Sequence, residues 1–353
     1  MTISQNYLNK KFWNRKNILI TGVNGFIGSN LVNHLIDKGA NIYGISDNND
    51  KNIALKHNNT FNKIKYYKLS LTNKNKLSEI IIKNKIEVCF HLAAQVDVTI
   101  ARVDPMKTFE SNIRGTYTLL ECLRESKFIK SIIMASSDKA YGDYPSSKLP
   151  YRENYDLRPR YPYDISKACG DFISQCYSSE IYNLPIITTR FSNIYGPGQL
   201  NFSALIPDCI LALLDIRDFI PRSNGKNKRD YLFVDDVCEL YQCLGYNLYK
   251  NNKLSGQIFN AGTGKGFTVD AIIKSICRIG KNKKLYTDIK RQYIGKCTVG
   301  EIGNQFMSHN KLKRYFGWTP RYIMDHGLCT TISWYKNMFG KYKKNEILRK
   351  LTR

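Results

Sequence analysis

Residues 17–35 read NILITGVNGFIGSNLVNHL, a short apolar run, three glycines at three-residue spacing and then an amphipathic stretch. A buried strand that turns on glycines straight into a helix opens a βαβ unit, and such units commit a chain to a parallel sheet. The alternation continues. NIYGI (41–45), EVCFHLA (87–93), SIIMASS (131–137), LPIITTRF (184–191) and QIFNAG (257–262) are candidate strands, while 26–38, 73–84 and 106–126 carry helical spacing. The expected fold is α/β, a Rossmann-type doubly wound parallel sheet with a smaller C-terminal lobe. In such sheets ligands bind beyond the carboxyl ends of the strands.

Past residue 190 the pattern loosens, and Pro197, Pro207, Pro221 and Pro320 punctuate it. The expected division is a dinucleotide-binding domain over 1–190, a substrate lobe mainly over 191–340, and a basic tail over 341–353. The strand near 257–262 is expected to return to the first domain.

The 54 Lys and Arg against 29 Asp and Glu give a net charge of +25, which would favour polyanions. The lysines, however, run from Lys10 to Lys350 without clustering, and no zinc-finger or RNA-recognition signature accompanies them, so nucleic acid is set aside as a partner. Ten cysteines form no C-x-x-C pair and the five histidines lie far apart, so no metal site is expected and the thiols are read as reduced. No apolar run approaches the ~18 residues of a membrane span. The opening MTISQNYLNKKFWNRKN lacks the apolar core of a signal peptide, so a cytoplasmic setting is expected.

Gly22, Gly25 and Gly28 between strand and helix let backbone amides approach a pyrophosphate at the helix N-terminus. Their Gly-x-x-Gly-x-x-Gly spacing is one residue longer in its first gap than the common fingerprint. Asp47, just past the second strand, stands where an acid holds the ribose hydroxyls of NAD. The alternative is Ser46 in that position with Lys51 nearby, which would favour the 2′-phosphate of NADP.

In YPYDISKACGD, Tyr163 and Lys167 lie four apart and share a helix face. An ammonium beside a phenol favours the phenolate, which would let Tyr163 act as a base. SSDK at the end of a strand adds Ser136, Ser137 and a side-by-side acid and amine, Asp138 and Lys139.

Seven motifs carry a resemblance: TGVNGFIG, HLAAQ, SNIRGT, SSDKAYG, YDISK, RFSNIYGPG and RDYLFVDDV. Together they resemble the extended short-chain dehydrogenase/reductases that act on nucleotide sugars, an NAD-dependent epimerase/dehydratase family, over about residues 15–335. The order Ser137-Asp138-Lys139 looks most like CDP-glucose 4,6-dehydratases, which also share KFW (11–13).

The resemblance implies NAD held by Gly22, Gly25, Phe26, Ile27, Gly28, Asp47, Leu92, Ala93, Ala94, Tyr163 and Lys167. It implies that Tyr163, with Lys167 and Ser137, removes the O4 proton of the sugar, that Asp138 protonates the departing 6-hydroxyl, and that Lys139 replaces the glutamate that takes the C5 proton. Asn193 and Arg229, with Arg222 as a lesser candidate, would contact the nucleotide sugar. Two positions depart from the family pattern: Ser70 stands where an adenine-contacting Asp is common, and Ala101 where a serine is. The expected activity is an NDP-hexose 4,6-dehydratase, a lyase, with a CDP- or GDP-sugar favoured. The alternatives are an NDP-sugar 4-epimerase, an isomerase that leaves Asp138 and Lys139 idle, and a non-catalytic dinucleotide-binding regulator. Relatives pair helices like those at 106–126 and 161–181, which implies a homodimer.

Overall fold

A computed structural model describes residues 10–47, 53–293 and 302–340. Lys51, Cys297 and the basic tail fall outside the described residues. Strands β1 (Asn17–Thr21), β2 (Asn41–Ser46), β3 (Lys65–Lys68), β4 (Val88–His91), β5 (Ser131–Ser137) and β6 (Ile186–Phe191) come first in the chain. Short strands β7 (Asn193–Tyr195), β8 (Lys228–Arg229) and β9 (Tyr231–Phe233) follow, then β10 (Ile258–Ala261) and β11 (Phe267–Thr268). β10 and β1–β6 form one seven-stranded sheet in the order β10-β6-β5-β4-β1-β2-β3, with every neighbour parallel.

The side-chain alternation of the strands splits the core. Ile18, Ile20, Val88, Phe90 and Ile133 face one side, while Leu19, Cys89, Ile132 and Met134 face the other. Both faces are covered, which is why these strands read as nearly continuous apolar runs. The helices Phe26–Ile36 and Val234–Lys250 cover the first side, and Lys74–Lys83 and Gly115–Arg124 the second. Chain beyond residue 190 therefore feeds the sheet as well as a separate apolar cluster built from residues such as Cys209, Ile210, Phe233, Ile276 and Tyr335.

Strand β3 was not foreseen. Its sequence KYYK has lysines at both ends and no buried residue, as befits an edge strand, so its apolar signal is weak. The stretch 106–126 is helical but not uniform. Pro105–Phe109 and Gly115–Arg124 are α-helical, and a π-helical segment, Glu110–Arg114, joins them and carries the buried Asn112. No helix among the described residues is long and apolar enough to cross a membrane.

The helix Pro162–Ser178 begins with proline, whose missing N–H is not needed in a first turn. A buried ion pair fixes it to the sheet. Arg190 of β6 donates from Nε to Asp171 Oδ2 at 2.8 Å and from a terminal nitrogen to Oδ1 at 3.1 Å. The same guanidinium donates to the Tyr141 hydroxyl at 2.8 Å, in the turn that follows β5. Side-chain exposure is 3% for Arg190 and 0% for Asp171, so water cannot replace a lost partner. Asp171→Ala, which leaves that guanidinium buried and uncompensated, is expected to lower the unfolding free energy by about 3–5 kcal/mol in denaturant titrations. A loss below about 1 kcal/mol would contradict this assignment.

Candidate active site

Everything the sequence singled out for chemistry on β5 lies at its carboxyl end. Ser137, the last residue of the strand, caps the turn Asp138–Tyr141: its Oγ accepts from the Lys139 amide at 3.2 Å and donates to Asp138 Oδ1 at 3.2 Å. Asp138 is 2% exposed, and its Oδ2 has no hydrogen-bond partner among the described residues. Burial raises its carboxyl above the ordinary value, against the opposing pull of Lys139, Ser137 and Arg229. A buried carboxyl pushed up in this way is suited to remain a neutral acid.

Lys139 follows in the same turn. Its Nζ donates to Oε1 of the fully buried Gln305.

The helix Pro162–Ser178 packs on β5 and on the turn Asp138–Tyr141, bringing Tyr163 and Lys167 to the same strand end. Both residues keep part of their surface exposed, yet desolvation governs both polar tips. Lys167 is lowered to about 8, with Asp171 opposing, and its Nζ donates to the Ala135 carbonyl at 2.5 Å. The Tyr163 phenol is raised, because burial outweighs its hydrogen bond with the Ser137 side chain, while Asp138 and Asp164 add to the rise. The expected lowering of the phenol by a neighbouring ammonium is thus reversed in direction, because loss of hydration is the larger effect.

The glycine turn is forced by close approach. Gly22 has φ +69°, and a Cβ there would lie 2.8 Å from the backbone of Ala93. A Cβ on Gly28 would meet the Gly22 carbonyl oxygen at 2.4 Å. Leu92, Ala93 and Ala94 leave β4 beside this turn, with the Leu92 and Ala93 amides donating to Thr21 Oγ1 at 3.2 Å each. Gly25 offers no side chain to cap the helix that Phe26 and Ile27 begin, which leaves its first amides for solvent or a bound anion. Asp47 is exposed directly after β2.

The second-lobe candidates divide. Asn193, half-buried, donates to the Asp230 carbonyl at 3.1 Å. Arg229 is 7% exposed and donates to the carbonyls of Lys228, Gly303 and Ile302 at 2.9, 2.7 and 2.6 Å. A diphosphate would have to draw these donors from those carbonyls, whereas the charge of Arg229 already reaches Asp138. Arg222 is exposed, and its charge acts on Asp208. The two departures differ in burial, Ala101 being fully enclosed and Ser70 exposed.

Five residues of the site were not assigned from sequence. His91 bonds Thr21 Oγ1 at 2.7 Å and Thr116 Oγ1 at 3.0 Å, and burial with the Lys167 charge lowers it to about 3, so it is neutral. Asn112 donates to Ser166 Oγ at 2.9 Å, and Ser166 in turn bonds the Tyr163 carbonyl at 2.7 Å. Both lie in motifs already noted. Asp164 lies in the same YDISK motif as Tyr163, but no role was assigned to it. Gln305 reaches Lys139 across 166 residues, a contact only the fold reveals.

The family model for GDP-mannose 4,6 dehydratase matches residues 19–331. The chain belongs to that family. Among its relatives, an Arabidopsis thaliana trifunctional UDP-glucose 4,6-dehydratase/UDP-4-keto-6-deoxy-D-glucose 3,5-epimerase/UDP-4-keto-L-rhamnose-reductase is 32% identical over 328 residues, covering 91% of this chain and 47% of that protein. The chain thus spans about half the length of the plant relatives it matches. Human dTDP-D-glucose 4,6-dehydratase is 26% identical over 337 residues, 94% of this chain and 93% of that one. Two solved structures of the same fold are a Bacillus anthracis dTDP-glucose 4,6-dehydratase in complex with NAD and a Thermotoga maritima UDP-glucose 4-epimerase with UDP-glucose. The first has a TM-score of 0.80 at 26% identity, covering 93% of this chain and 98% of that one. The second has 0.79 at 27%, covering 92% and 99%.

For this GDP-mannose 4,6-dehydratase family member, Gly28→Ala tests the tightness of the turn. Overpacking against the Gly22 carbonyl is expected to lower stability by about 1–3 kcal/mol in thermal unfolding.

Proposed function

We propose that the chain is an NAD-dependent NDP-hexose 4,6-dehydratase, a hydro-lyase that yields an NDP-4-keto-6-deoxyhexose. The observation that carries this reading is Asp138. A carboxyl held above its usual value by burial, with one oxygen unpartnered, stands beside Ser137 at the strand end. Oxidation at C4 alone has no use for such an acid; loss of the 6-hydroxyl does.

The glycine turn suits the dinucleotide, since its side-chain-free approach and the uncapped helix N-terminus offer amides to a pyrophosphate. Gly22, Gly25, Phe26, Ile27 and Gly28 would hold the phosphates, Asp47 the ribose, and Leu92, Ala93 and Ala94 would flank it, with NAD preferred to NADP. Bound there, NAD would accept hydride from C4 and return it to C6. Tyr163 takes the proton from O4. Burial holds its phenol up, and Lys167, four residues on in the same helix, would supply a positive charge that favours the phenolate. Ser137 bonds the phenol and orients the same oxygen. Asp138 gives its proton to the departing 6-hydroxyl. Asn193 and Arg229, with Arg222 as a lesser candidate, remain the proposed contacts to the nucleotide.

The relatives are named for UDP- and dTDP-glucose, so these join CDP- and GDP-sugars as substrates to test. Incubation with that panel is expected to give a product lighter by one water. An isobaric product would replace this reading with 4-epimerisation, which the solved epimerase and the donor role of Lys139 favour. Asp138→Asn is expected to slow water loss by about 10²–10⁴-fold. Since the acid must be protonated, turnover is expected to fall as pH rises through the raised value of Asp138, and this alkaline limb should vanish in Asp138→Asn.

The reading includes a cytoplasmic setting, in which the free cysteines stay reduced, and a homodimer. The proposed dimer face comprises Val103, Met106, Tyr117 and Phe172, large apolar side chains left exposed along the helices 98–124 and 162–178. Met106→Glu with Phe172→Glu is expected to give a monomer in sedimentation.

A further inference from the structure

We propose that Asp164 is the base that removes the C5 proton, and that Lys139, held by Gln305, is a fixed cation set between Asp164 and Asp138. This inference rests on the dehydratase reading and replaces the residue that the family pattern would supply. A dehydration of this kind needs two groups of opposite duty, an acid at O6 and a base at C5. Position 139 provides no carboxylate. Its ammonium instead donates to a side-chain carbonyl oxygen, that of a glutamine with no exposed surface.

A second carboxyl nevertheless belongs to this corner of the molecule. Asp164 directly follows Tyr163 in the first turn of the helix Pro162–Ser178, which packs on the turn Asp138–Tyr141 and on the helix Val98–Val103. An aspartate in a first turn ordinarily sits in solvent and interacts with the helix dipole. Asp164 is instead 5% exposed. The charges that act on it come from each packed element, Lys139 and Asp138 from the turn and Arg102 from the helix Val98–Val103, and the Tyr161 backbone hydrogen-bonds it. Arg102 also lies over the Tyr161 ring at 5.8 Å.

Burial above all raises Asp164 to about 6; Lys139 opposes, Asp138 adds to the rise, and the Tyr161 backbone and Arg102 oppose. At neutral pH this carboxyl is ionised yet more basic than an ordinary aspartate, whereas Asp138, more deeply enclosed, suits the acid. Two carboxyls whose surroundings differ in this way divide acid and base duties.

The step balances. The C5–H bond breaks and its proton passes to Asp164, while the electron pair forms the C5–C6 double bond as the C6–O bond breaks. The hydroxyl takes the Asp138 proton and leaves as water. Hydride then forms the C6–H bond and Asp164 returns its proton to C5. The proton that Tyr163 took from O4 replaces, through solvent, the one that Asp138 gave.

The test uses the full chain with NAD and with UDP-glucose or dTDP-glucose in deuterium oxide, comparing wild type, Asp164→Asn, Asp164→Glu and Lys139→Gln. Asp164→Asn is expected to retain nicotinamide reduction, which also shows that it is folded, while water loss and deuterium uptake at C5 fall by about 10²–10⁴-fold. Asp164→Glu, which keeps a carboxylate, should recover part of the C5 exchange, a rescue that a purely structural role would not show. Lys139→Gln should still exchange C5, slowed within about tenfold. A Lys139→Gln variant that loses C5 exchange while Asp164→Asn keeps it overturns the assignment. A wild type that releases no water overturns the dehydratase reading and this one with it. Wild-type water loss with Asp164→Asn unimpaired overturns only the role of Asp164.

Discussion

The buried pair of Arg190 and Asp171 governs the placement of every group discussed for catalysis. Asp171 belongs to the helix that carries Tyr163, Asp164 and Lys167, Arg190 belongs to β6, and the same guanidinium reaches Tyr141 in the turn that carries Asp138 and Lys139. One cation therefore sets the separation between the helix and the strand end. Buried pairs are not strong sources of net stability, because desolvation offsets much of the attraction. Their directional demand is what matters here: two parallel hydrogen bonds and a third to a phenol permit little rotation of the helix on the sheet.

The second organising fact is dryness at the carboxyl end of β5. Desolvation is the leading influence on Asp138, Tyr163, Asp164 and Lys167 alike. It pushes the acids and the phenol up and the amine down, so all four shift towards their neutral forms. Within that common shift, local charge makes the differences. The arrangement lets one strand end hold several proton-transfer groups without assembling a cluster of full charges in a low-dielectric space.

Much of this was legible in the sequence because the signals were local. The strand, glycine turn and helix of residues 17–35 declare themselves, since Gly22 and Gly28 occupy positions where any side chain would collide with backbone. The four-residue interval between Tyr163 and Lys167 likewise predicts a shared helix face. Strand β3 was not legible, because an edge strand with lysine at both ends lacks the apolar run used to find its neighbours. Gln305 escaped for a different reason: it meets Lys139 only through the folding of distant segments. The sign of the Tyr163 shift escaped as well. Spacing can place an ammonium near a phenol, but it carries no information on how much water either one loses.

Strand β10 adds a consequence for how the molecule comes into being. It pairs in parallel with β6, yet the two are separated by the whole excursion through β7, β8, β9 and the helix Val234–Lys250. On the ribosome, β6 is complete long before residue 261 emerges, and until then its outer edge presents unpaired amides and carbonyls along the run IITTRF. That edge is the place where a nascent chain would pair with the wrong strand, its own or another's. The late-arriving β10 thus acts as a closing seal on the sheet, and the nascent chain is exposed to misassembly at this edge in the interval before that seal is set.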